Sequence, residues 1–178
     1  MNVILSLHVG RNNTRRTCDS RPVDILVNAA GVGVAGPVVG FSDSDYEAVL
    51  DTNLKSIFFA SRDVLPSMIE RRTGHIINIA SIAGKVGSAN LAVYCASKFG
   101  VVGFTQALAE VVRQHGIRVS LICPGSTDTS FLGSSSKTSK SRERMLSPAD
   151  IAHAVRMLVT QEDNSFISEV VIRPTMKP

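Results

Sequence analysis

Tyr94 and Lys98 are the two side chains of this sequence whose types and spacing most directly suggest chemistry. They stand four residues apart in a segment with helical periodicity, so their side chains are expected on one helix face. A nearby ammonium group lowers the pKa of a phenol from about 10 towards neutrality, which makes the phenol a usable proton donor and acceptor. An ordinary exposed pair has the same spacing, and the spacing alone favours that simpler interpretation.

Two further polar residues become candidate functional residues when they are considered together with this pair. Ser81 follows an apolar, strand-like segment, where its hydroxyl is expected to reach a substrate carbonyl at the edge of a sheet. A serine in a turn beside Ala83 and Gly84 also has a purely structural explanation. Ser81 has no flanking glycines of a nucleophile elbow, which disfavours a serine hydrolase. Asn53 interrupts a predicted helix, where its amide is expected either to hold a water chain or to face solvent.

A glycine-rich segment at residues 31–36 matches the pattern G-x-G-x-x-G, with Asp51 about twenty residues further on. In a dinucleotide fingerprint the helix begins within the glycines, so that its first amides meet the pyrophosphate. Here Pro37 intervenes and the next helix begins only at Ser42. We therefore interpret the segment as a glycine-rich crossover loop that lies against a ligand rather than as that fingerprint.

The elements that must position these residues alternate between short apolar strands and long amphipathic helices. Strands are predicted at 23–28, 75–80, 117–123 and 166–172, and helices at 42–71, at 92–115 and from Ser147-Pro148 onward. Pro66 is expected to bend the first helix. Residues 126–146 are polar and serine-rich, as in a mobile loop, and 3–9 offer one further short strand. This rhythm indicates an α/β fold built on a parallel sheet.

Composition narrows the class of protein. The chain has 178 residues, of which 44% are hydrophobic, so one compact soluble domain is expected. The net charge of +4 is concentrated in 1–22 and 137–144, each with four basic residues and one acidic residue, and neither stretch has interleaved aromatic residues. Nucleic-acid binding is therefore disfavoured. The three cysteines are scattered along the chain, which predicts a reducing, cytoplasmic setting. The four histidines have no cysteine or carboxylate at metal-ligand spacing, so no metal is assigned.

Five motifs occur along the chain in a fixed order: Asn28-Ala29-Ala30-Gly31, Thr52-Asn53-Leu54, Ser81, Tyr94-Cys95-Ala96-Ser97-Lys98 and Pro124-Gly125-Ser126-Thr127. Together they resemble the short-chain dehydrogenase/reductase family, and the resemblance covers about 23–172. The resemblance implies a Rossmann-like, doubly wound parallel sheet in a three-layer α/β/α arrangement. It also implies a coenzyme, NAD or NADP, and hydride transfer between nicotinamide and a carbonyl or alcohol substrate.

The resemblance assigns roles by motif. Tyr94 would be the acid/base, Lys98 would lower its pKa and hold the nicotinamide ribose, Ser81 would orient the substrate oxygen, and Asn53 would position a relay water. Coenzyme contacts would come from Asn28, Ala29 and Gly31 on the adenosine side and from Pro124, Gly125, Thr127 and Thr129 at the nicotinamide and phosphate end. The loop 126–146 would cover the substrate, and helices near 43–71 and 92–115 would join subunits into a homo-oligomer.

The first residues depart from the family pattern. The family opens with a glycine-rich T-G-x-x-x-G-x-G turn and several elements before the strand that here begins at Val23. We expect 1–22 to be an atypical N-terminal segment, 23–178 to form the later part of the family fold, and the pyrophosphate cradle to be absent. The strand at 23–28 would then be an open edge, which 3–9 would partly cover. Two hypotheses follow: an NAD(P)-dependent oxidoreductase, or a non-catalytic family fragment acting through oligomerisation.

Overall fold

Five parallel strands form one sheet whose spatial order follows the chain. The computed structural model describes residues 2–6, 22–129 and 139–176. The strands are β1 (Val3–Ser6), β2 (Ile25–Asn28), β3 (Gly74–Ile79), β4 (Ile117–Pro124) and β5 (Glu169–Ile172), in the order β1-β2-β3-β4-β5. The helices are α1 (Asp43–Leu50), α2 (Ser56–Arg71), α3 (Ala92–Val112), α4 (Ser139–Arg142) and α5 (Pro148–Val159).

Helices cover both faces of this sheet, which confirms the predicted Rossmann-like α/β fold. Successive residues of a strand point to opposite faces, so β2 and β3 each contribute to two apolar layers. One layer packs beneath α2 and α3 and the other beneath α5. The first contains Leu26, Met68, Ile76, Val112, Ile117 and Val119, and the second contains Ile25, Val27, Ile77, Ile122, Ala154 and Leu158. Burial on both faces explains the nearly continuous apolar runs of the central strands.

The strand predicted at 3–9 is present at Val3–Ser6, and residues 7–9 lie outside the described part of the chain. It pairs in parallel with β2, with Val3 opposite Ile25 and Ser6 opposite Asn28. Asp24 fixes the start of this pairing, because its carboxylate accepts the backbone N–H of Asn2 at 2.8 Å and binds Arg71 at 2.9 Å. The expected covering of the β2 edge is therefore confirmed for these four residues.

The first long helix contains an irregularity that the sequence did not predict. Ser42 caps it as expected, with its side chain accepting the N–H of Asp45. Pro66 lies inside α2 without ending it, whereas a π-helical turn at Asp51–Lys55 separates α1 from α2. Such a turn inserts one residue into the helical ladder and often marks a functional site. The buried side chain at its centre is Asn53.

The later elements agree with the predicted rhythm, with one addition. Gly116, at φ +73°, separates α3 and its last 3₁₀ turn from β4, and a Ser147–Asp150 capping box opens α5. Within the predicted loop 126–146 the chain forms the short helix α4, and Thr127 bridges to Leu146. The centre of that loop, 130–138, lies outside the described residues, as do Cys18 and His8. None of the described helices is long and apolar enough to cross a bilayer.

Candidate active site

Ser81, Tyr94 and Lys98 meet at the carboxyl ends of β3 and β4. Ser81 directly follows β3 and caps a 3₁₀ turn at Ile82–Gly84, its side chain accepting the Ala83 N–H at 3.1 Å. This turn packs against α3, the helix that carries Tyr94 and Lys98. In a parallel sheet the carboxyl ends of the strands form the edge where ligands bind. The predicted residues are therefore assembled at the edge that suits a binding site.

Tyr94 is buried beside Ser81. Only 9% of its surface is exposed, and it packs with Ala83, Cys95 and Leu91. Burial raises the pKa of its phenol above the usual value of 10.0, and a hydrogen bond with the Ser81 side chain offsets part of that rise. The Tyr94 phenol is consequently neutral at physiological pH in this structure, with its hydroxyl held next to that of Ser81.

Lys98 is one turn further along α3 and is buried more deeply, with 3% of its surface exposed. Its Nζ donates to the Ile79 carbonyl at 3.0 Å, at the last residue of β3. Among the described residues this carbonyl is its one hydrogen-bond acceptor, although an ammonium group has three donors. Burial lowers the pKa of Lys98 from 10.5 to about 8. Its charge thus changes close to neutral pH.

The expected lowering of the Tyr94 pKa by Lys98 is not what the structure shows. Lys98 Nζ lies 5.9 Å from the centre of the Tyr94 ring and is directed to a backbone carbonyl. Desolvation acts on both side chains and favours their neutral forms, which raises the pKa of Tyr94 and lowers that of Lys98. The sequence argument was correct about the shared helix face but omitted the cost of burying both groups.

Asn53 connects the π-helical turn to two other segments. Its Oδ1 accepts the Val32 N–H at 2.8 Å, and its Nδ2 donates to the Val32 carbonyl at 2.9 Å and to Ser97 Oγ at 2.9 Å. Ser97 Oγ in turn donates to the Tyr94 carbonyl at 2.7 Å. The Asn53 side chain therefore holds protein groups and does not face solvent, while its expected role in positioning a relay water stays a prediction.

The residues predicted on the adenosine side form the end of β2 and the loop after it. Asn28 is buried, and its Nδ2 donates to Asn78 Oδ1 at 2.8 Å, while Asn78 donates to Thr105 on α3. The Asn28 side chain thus ties β2 to β3 and α3, and its Oδ1 is buried with no hydrogen-bond partner among the described residues. Ala29 is exposed and Gly31 is partly exposed, so the loop backbone reaches the surface there.

The glycine-rich segment 31–36 is a loop. This agrees with its interpretation as a crossover loop rather than as a dinucleotide fingerprint. The next helix, α1, begins at Asp43, after a 3₁₀ turn at Val38–Gly40. Asp51 opens the π-helical turn, where it is partly exposed and pairs with Lys55 at 3.0 Å. Asp51 is therefore occupied by an ion pair within its own helix.

The residues predicted at the nicotinamide end follow β4. Pro124 is the last residue of that strand, and the Gly125 N–H donates to the Ile172 carbonyl at 2.7 Å. Thr127 Oγ1 donates to the Gly125 carbonyl at 3.0 Å, which stabilises the turn. Thr129 is exposed at the end of this described segment. These residues share the carboxyl edge of the sheet with Ser81.

Two residues that sequence reasoning did not select contribute to the geometry of the site. Ser97 joins Asn53 to the backbone of Tyr94, as described above. Gly84 lets the Ser81 turn approach α3, because a Cβ on Gly84 would lie 2.6 Å from the carbonyl oxygen of Lys98. In the sequence, Ser97 could have been noticed because it directly precedes Lys98. Gly84 could have been noticed because it is a glycine close to Ser81. Neither signal specifies a partner on another element.

Comparison with known proteins yields one consistent family. The sequence profile described as short chain dehydrogenase matches residues 14–140. An uncharacterized oxidoreductase of Staphylococcus saprophyticus is 37% identical over 152 residues, which are 85% of this chain and 64% of the relative. The chain therefore spans just under two thirds of the length of this curated relative.

Solved structures with the same fold carry nicotinamide coenzymes. A metagenomic short-chain oxidoreductase in complex with NADP is 43% identical, with a TM-score of 0.72 over 88% of this chain and 63% of that chain. A 4-hydroxyisoleucine dehydrogenase complexed with NADH and succinate is 31% identical, with a TM-score of 0.75 over 85% of this chain and 67% of that chain. Both relatives were thus solved with a nicotinamide coenzyme, NADP in one and NADH in the other.

Proposed function

The chain belongs to the short-chain dehydrogenase family, and on that premise we propose that it is an NAD(P)-dependent oxidoreductase acting on a carbonyl or alcohol substrate. The observation that carries this proposal is the meeting of a buried phenol, a hydroxyl and an ammonium group at the carboxyl edge of the sheet. Buried polar groups of this kind are costly to maintain and tend to cluster at functional sites. The relatives bound to NADP and NADH support the same coenzyme class here.

The donors at this edge fit a nicotinamide coenzyme. Lys98 has hydrogen-bonding capacity left beyond its contact with Ile79, which suits the hydroxyls of a ribose. Pro124, Gly125, Thr127 and Thr129 would face the nicotinamide and phosphate end, and the loop from Ala29 to Gly31 would face the adenosine. Asn28 would support that loop from the core rather than touch the coenzyme. When bound, the coenzyme supplies or accepts the hydride at the substrate carbon.

Tyr94 acts as the general acid in carbonyl reduction and as the general base in alcohol oxidation. Its raised pKa keeps the proton on the phenol, so the hydroxyl is ready to donate to a substrate oxygen. Ser81 Oγ, hydrogen-bonded to Tyr94, orients that oxygen from its other side. Lys98, with its pKa near 8, returns a proton towards Tyr94, and Asn53 holds the helix turn that borders this route.

The substrate class we propose is a small hydroxy acid or hydroxy amino acid, or the matching carbonyl compound. The support is the relative that oxidises 4-hydroxyisoleucine by its printed name. The activity belongs in the cytoplasm, where a reducing environment keeps the buried thiols of Cys95 and Cys123 free.

The experiment that tests the proposed chemistry compares the two tyrosines of the chain. We expect Tyr94→Phe to lower kcat at least about a thousandfold, as loss of a general acid does, and to leave coenzyme affinity nearly unchanged. Tyr46→Phe is the matched control, because Tyr46 is exposed on α1, and it should retain wild-type turnover. Turnover is followed as NADPH or NADH fluorescence with 4-hydroxyisoleucine and a panel of hydroxy acids. Comparable rates for the two variants would contradict the role of Tyr94.

The second candidate function is association without catalysis, and an apolar groove supports it. The groove, of about 440 Å³, lies between the π-helical turn, α2 and α3 and is lined by Leu50, Asp51, Leu54, Lys55, Phe58, Gly100 and Phe104. Phe58 is 45% exposed there and stacks edge-on to Phe104. A second copy of this chain, offering the same apolar surface, fits such a groove because two-fold interfaces are self-complementary. The Tyr94 experiment separates the two candidates, because association without catalysis predicts no coenzyme-dependent turnover even in the wild type.

A further inference from the structure

We propose that Ser97 is a positioning residue that holds Tyr94 and Lys98 in register with the loop after β2. The inference rests on the function proposed above, since it concerns how the same site is held. Ser97 lies between the two side chains on α3, three residues after Tyr94 and directly before Lys98. A displacement of the helix at Ser97 therefore moves both of them.

The Ser97 hydroxyl uses both of its hydrogen-bonding capacities within the protein. It donates its single proton to the Tyr94 carbonyl at 2.7 Å and accepts from Asn53 Nδ2 at 2.9 Å. Ser97 and Asn53 are both fully buried, so water does not compete for these bonds. A hydroxyl that donates and accepts at once fixes its own orientation and that of both partners.

The bridge continues from Asn53 to the loop. Asn53 exchanges two hydrogen bonds with the backbone of Val32, at 2.8 and 2.9 Å. Because the Val32 N–H is a donor only, Asn53 Oδ1 must face it, and Nδ2 must then face Val32 O and Ser97. One path of buried hydrogen bonds thus joins the loop after β2, the π-helical turn and α3.

Ser97 differs in this respect from another buried serine of the neighbouring helix. Ser56 Oγ donates to the Thr52 carbonyl at 2.6 Å, a local bond to the π-helical turn that directly precedes α2, and this is the one hydrogen bond of its side chain among the described residues. Ser56 is 4% exposed. Ser56→Ala therefore removes a buried helical hydroxyl of the same type without cutting a link to α3 or to the loop after β2, which makes it the matched control for Ser97→Ala.

The test measures backbone exchange and turnover in the full chain carrying Ser97→Ala, Ser97→Thr or Ser56→Ala. Loss of one hydrogen bond from the Asn53 amide should speed hydrogen exchange at the Val32 N–H about tenfold in Ser97→Ala. Misplacement of Tyr94 should lower kcat at least about tenfold and alter the pH profile of kcat/KM, with coenzyme Kd nearly unchanged. Ser97→Thr keeps the hydroxyl and should recover most of both losses. Ser56→Ala should match the wild type in exchange and pH profile.

Two results would overturn the inference. One is an unchanged rate of hydrogen exchange at the Val32 N–H in Ser97→Ala. This result would contradict the bridge even if the wild-type protein shows no enzymatic turnover. The other is a Ser97→Ala enzyme whose kcat and pH profile equal those of Ser56→Ala. Absence of coenzyme-dependent turnover in the wild type would contradict the proposed function instead, and a separate loss of Val32 protection would then still support the bridge.

Discussion

At the scale of single residues, burial decides the protonation of the ionisable side chains inside this fold. Tyr94 and Lys98 are both shifted towards their neutral forms, by desolvation that acts on a phenol and an ammonium group in opposite directions. The two pKa values therefore move apart: that of Tyr94 rises above its usual 10.0, and that of Lys98 falls to about 8. In the proposed reaction the Lys98 ammonium group is then the stronger acid of the two, which favours return of a proton to a Tyr94 phenolate.

His75 provides a stability prediction at the same scale. It is buried on β3, with Nε2 2.9 Å from Ser120 Oγ, and Nδ1 has no hydrogen-bond partner in the part of the chain that the structure describes. Arg118 lies opposite on β4. Burial, with a smaller contribution from the Arg118 charge, lowers the pKa of His75 from 6.5 to about 4. The unfolded chain therefore binds more protons than the folded chain between these values. The free energy of unfolding should fall as pH drops from 6.5 to 4, by up to about 3 kcal/mol.

The measurement is denaturant unfolding of the wild type, His75→Gln and His153→Gln at pH 7 and pH 4.5. His153 is exposed on α5, so its variant should keep the wild-type loss of stability at the lower pH. His75→Gln should lose less on acidification than the other two proteins. An equal loss in all three would show that His75 does not titrate in this way.

Residue types and spacing predicted which side chains meet but not how they are held. Ser81, Tyr94 and Lys98 were predictable because their positions follow from a strand end and a helix face. The Ser97–Asn53–Val32 bridge was not, because each partner lies on a different element and nothing in the local sequence pairs them. The direction of the Tyr94 pKa was also missed, since burial is a property of the packed structure.

At the scale of elements, the approach of the Ser81 turn to α3 depends on Gly84. A Cβ at this position would come within 2.6 Å of the Lys98 carbonyl oxygen and 3.1 Å of Val102. These contacts are with backbone and a buried side chain, so either the turn or the helix must shift. We expect Gly84→Ala to lower the free energy of unfolding by about 1–3 kcal/mol and to reduce kcat by separating Ser81 from Tyr94.

Gly87 offers the matched control three residues later. A Cβ there meets nothing within 4 Å, so Gly87→Ala should leave both stability and turnover close to those of the wild type. Unfolding curves and steady-state rates of the two variants make the comparison. A Gly84→Ala protein that is as stable and active as Gly87→Ala would show that the turn accommodates the added methyl group despite these close contacts.

Element prediction succeeded where local signals are strong and failed where tertiary contacts decide. The capped starts of α1 and α5 and the buried strands β3 and β4 follow from capping residues and apolar runs. Pro66 lies inside α2, and the bend expected there stays a prediction. The irregularity lies at Asp51–Lys55, where the buried Asn53 amide bonds to Val32 and Ser97 from other elements. Helical periodicity alone does not contain that information.

At the scale of the whole molecule, the groove between the π-helical turn, α2 and α3 predicts self-association. Gly100 lets α3 approach Leu54 closely, since a Cβ there would lie 2.8 Å from a Leu54 methyl, and Phe58 stands exposed at the groove. We expect Phe58→Glu to shift the chain from dimer or higher oligomer to monomer, because it places a charge in an apolar contact. Sedimentation velocity at micromolar concentration measures the change.

Val39 supplies the control for this prediction. It is 97% exposed in the 3₁₀ turn at Val38–Gly40, away from the groove, so Val39→Glu should retain the wild-type oligomeric state. A wild-type chain that is monomeric across the concentration range would contradict the assignment of the groove to a second copy.

The central claim is that this chain binds a nicotinamide coenzyme at the edge formed by β3, β4 and α3, and direct titration tests it most simply. The purified chain is titrated with NADPH and with NADH, following nicotinamide fluorescence and melting temperature together, because binding to the folded state raises the melting temperature. We predict a Kd in the micromolar range for at least one of the two. Lys98→Met should weaken it about tenfold, by loss of a charged hydrogen bond, while Lys55→Met leaves it unchanged. Cooperative unfolding with no response to either nucleotide at millimolar concentration would contradict the claim.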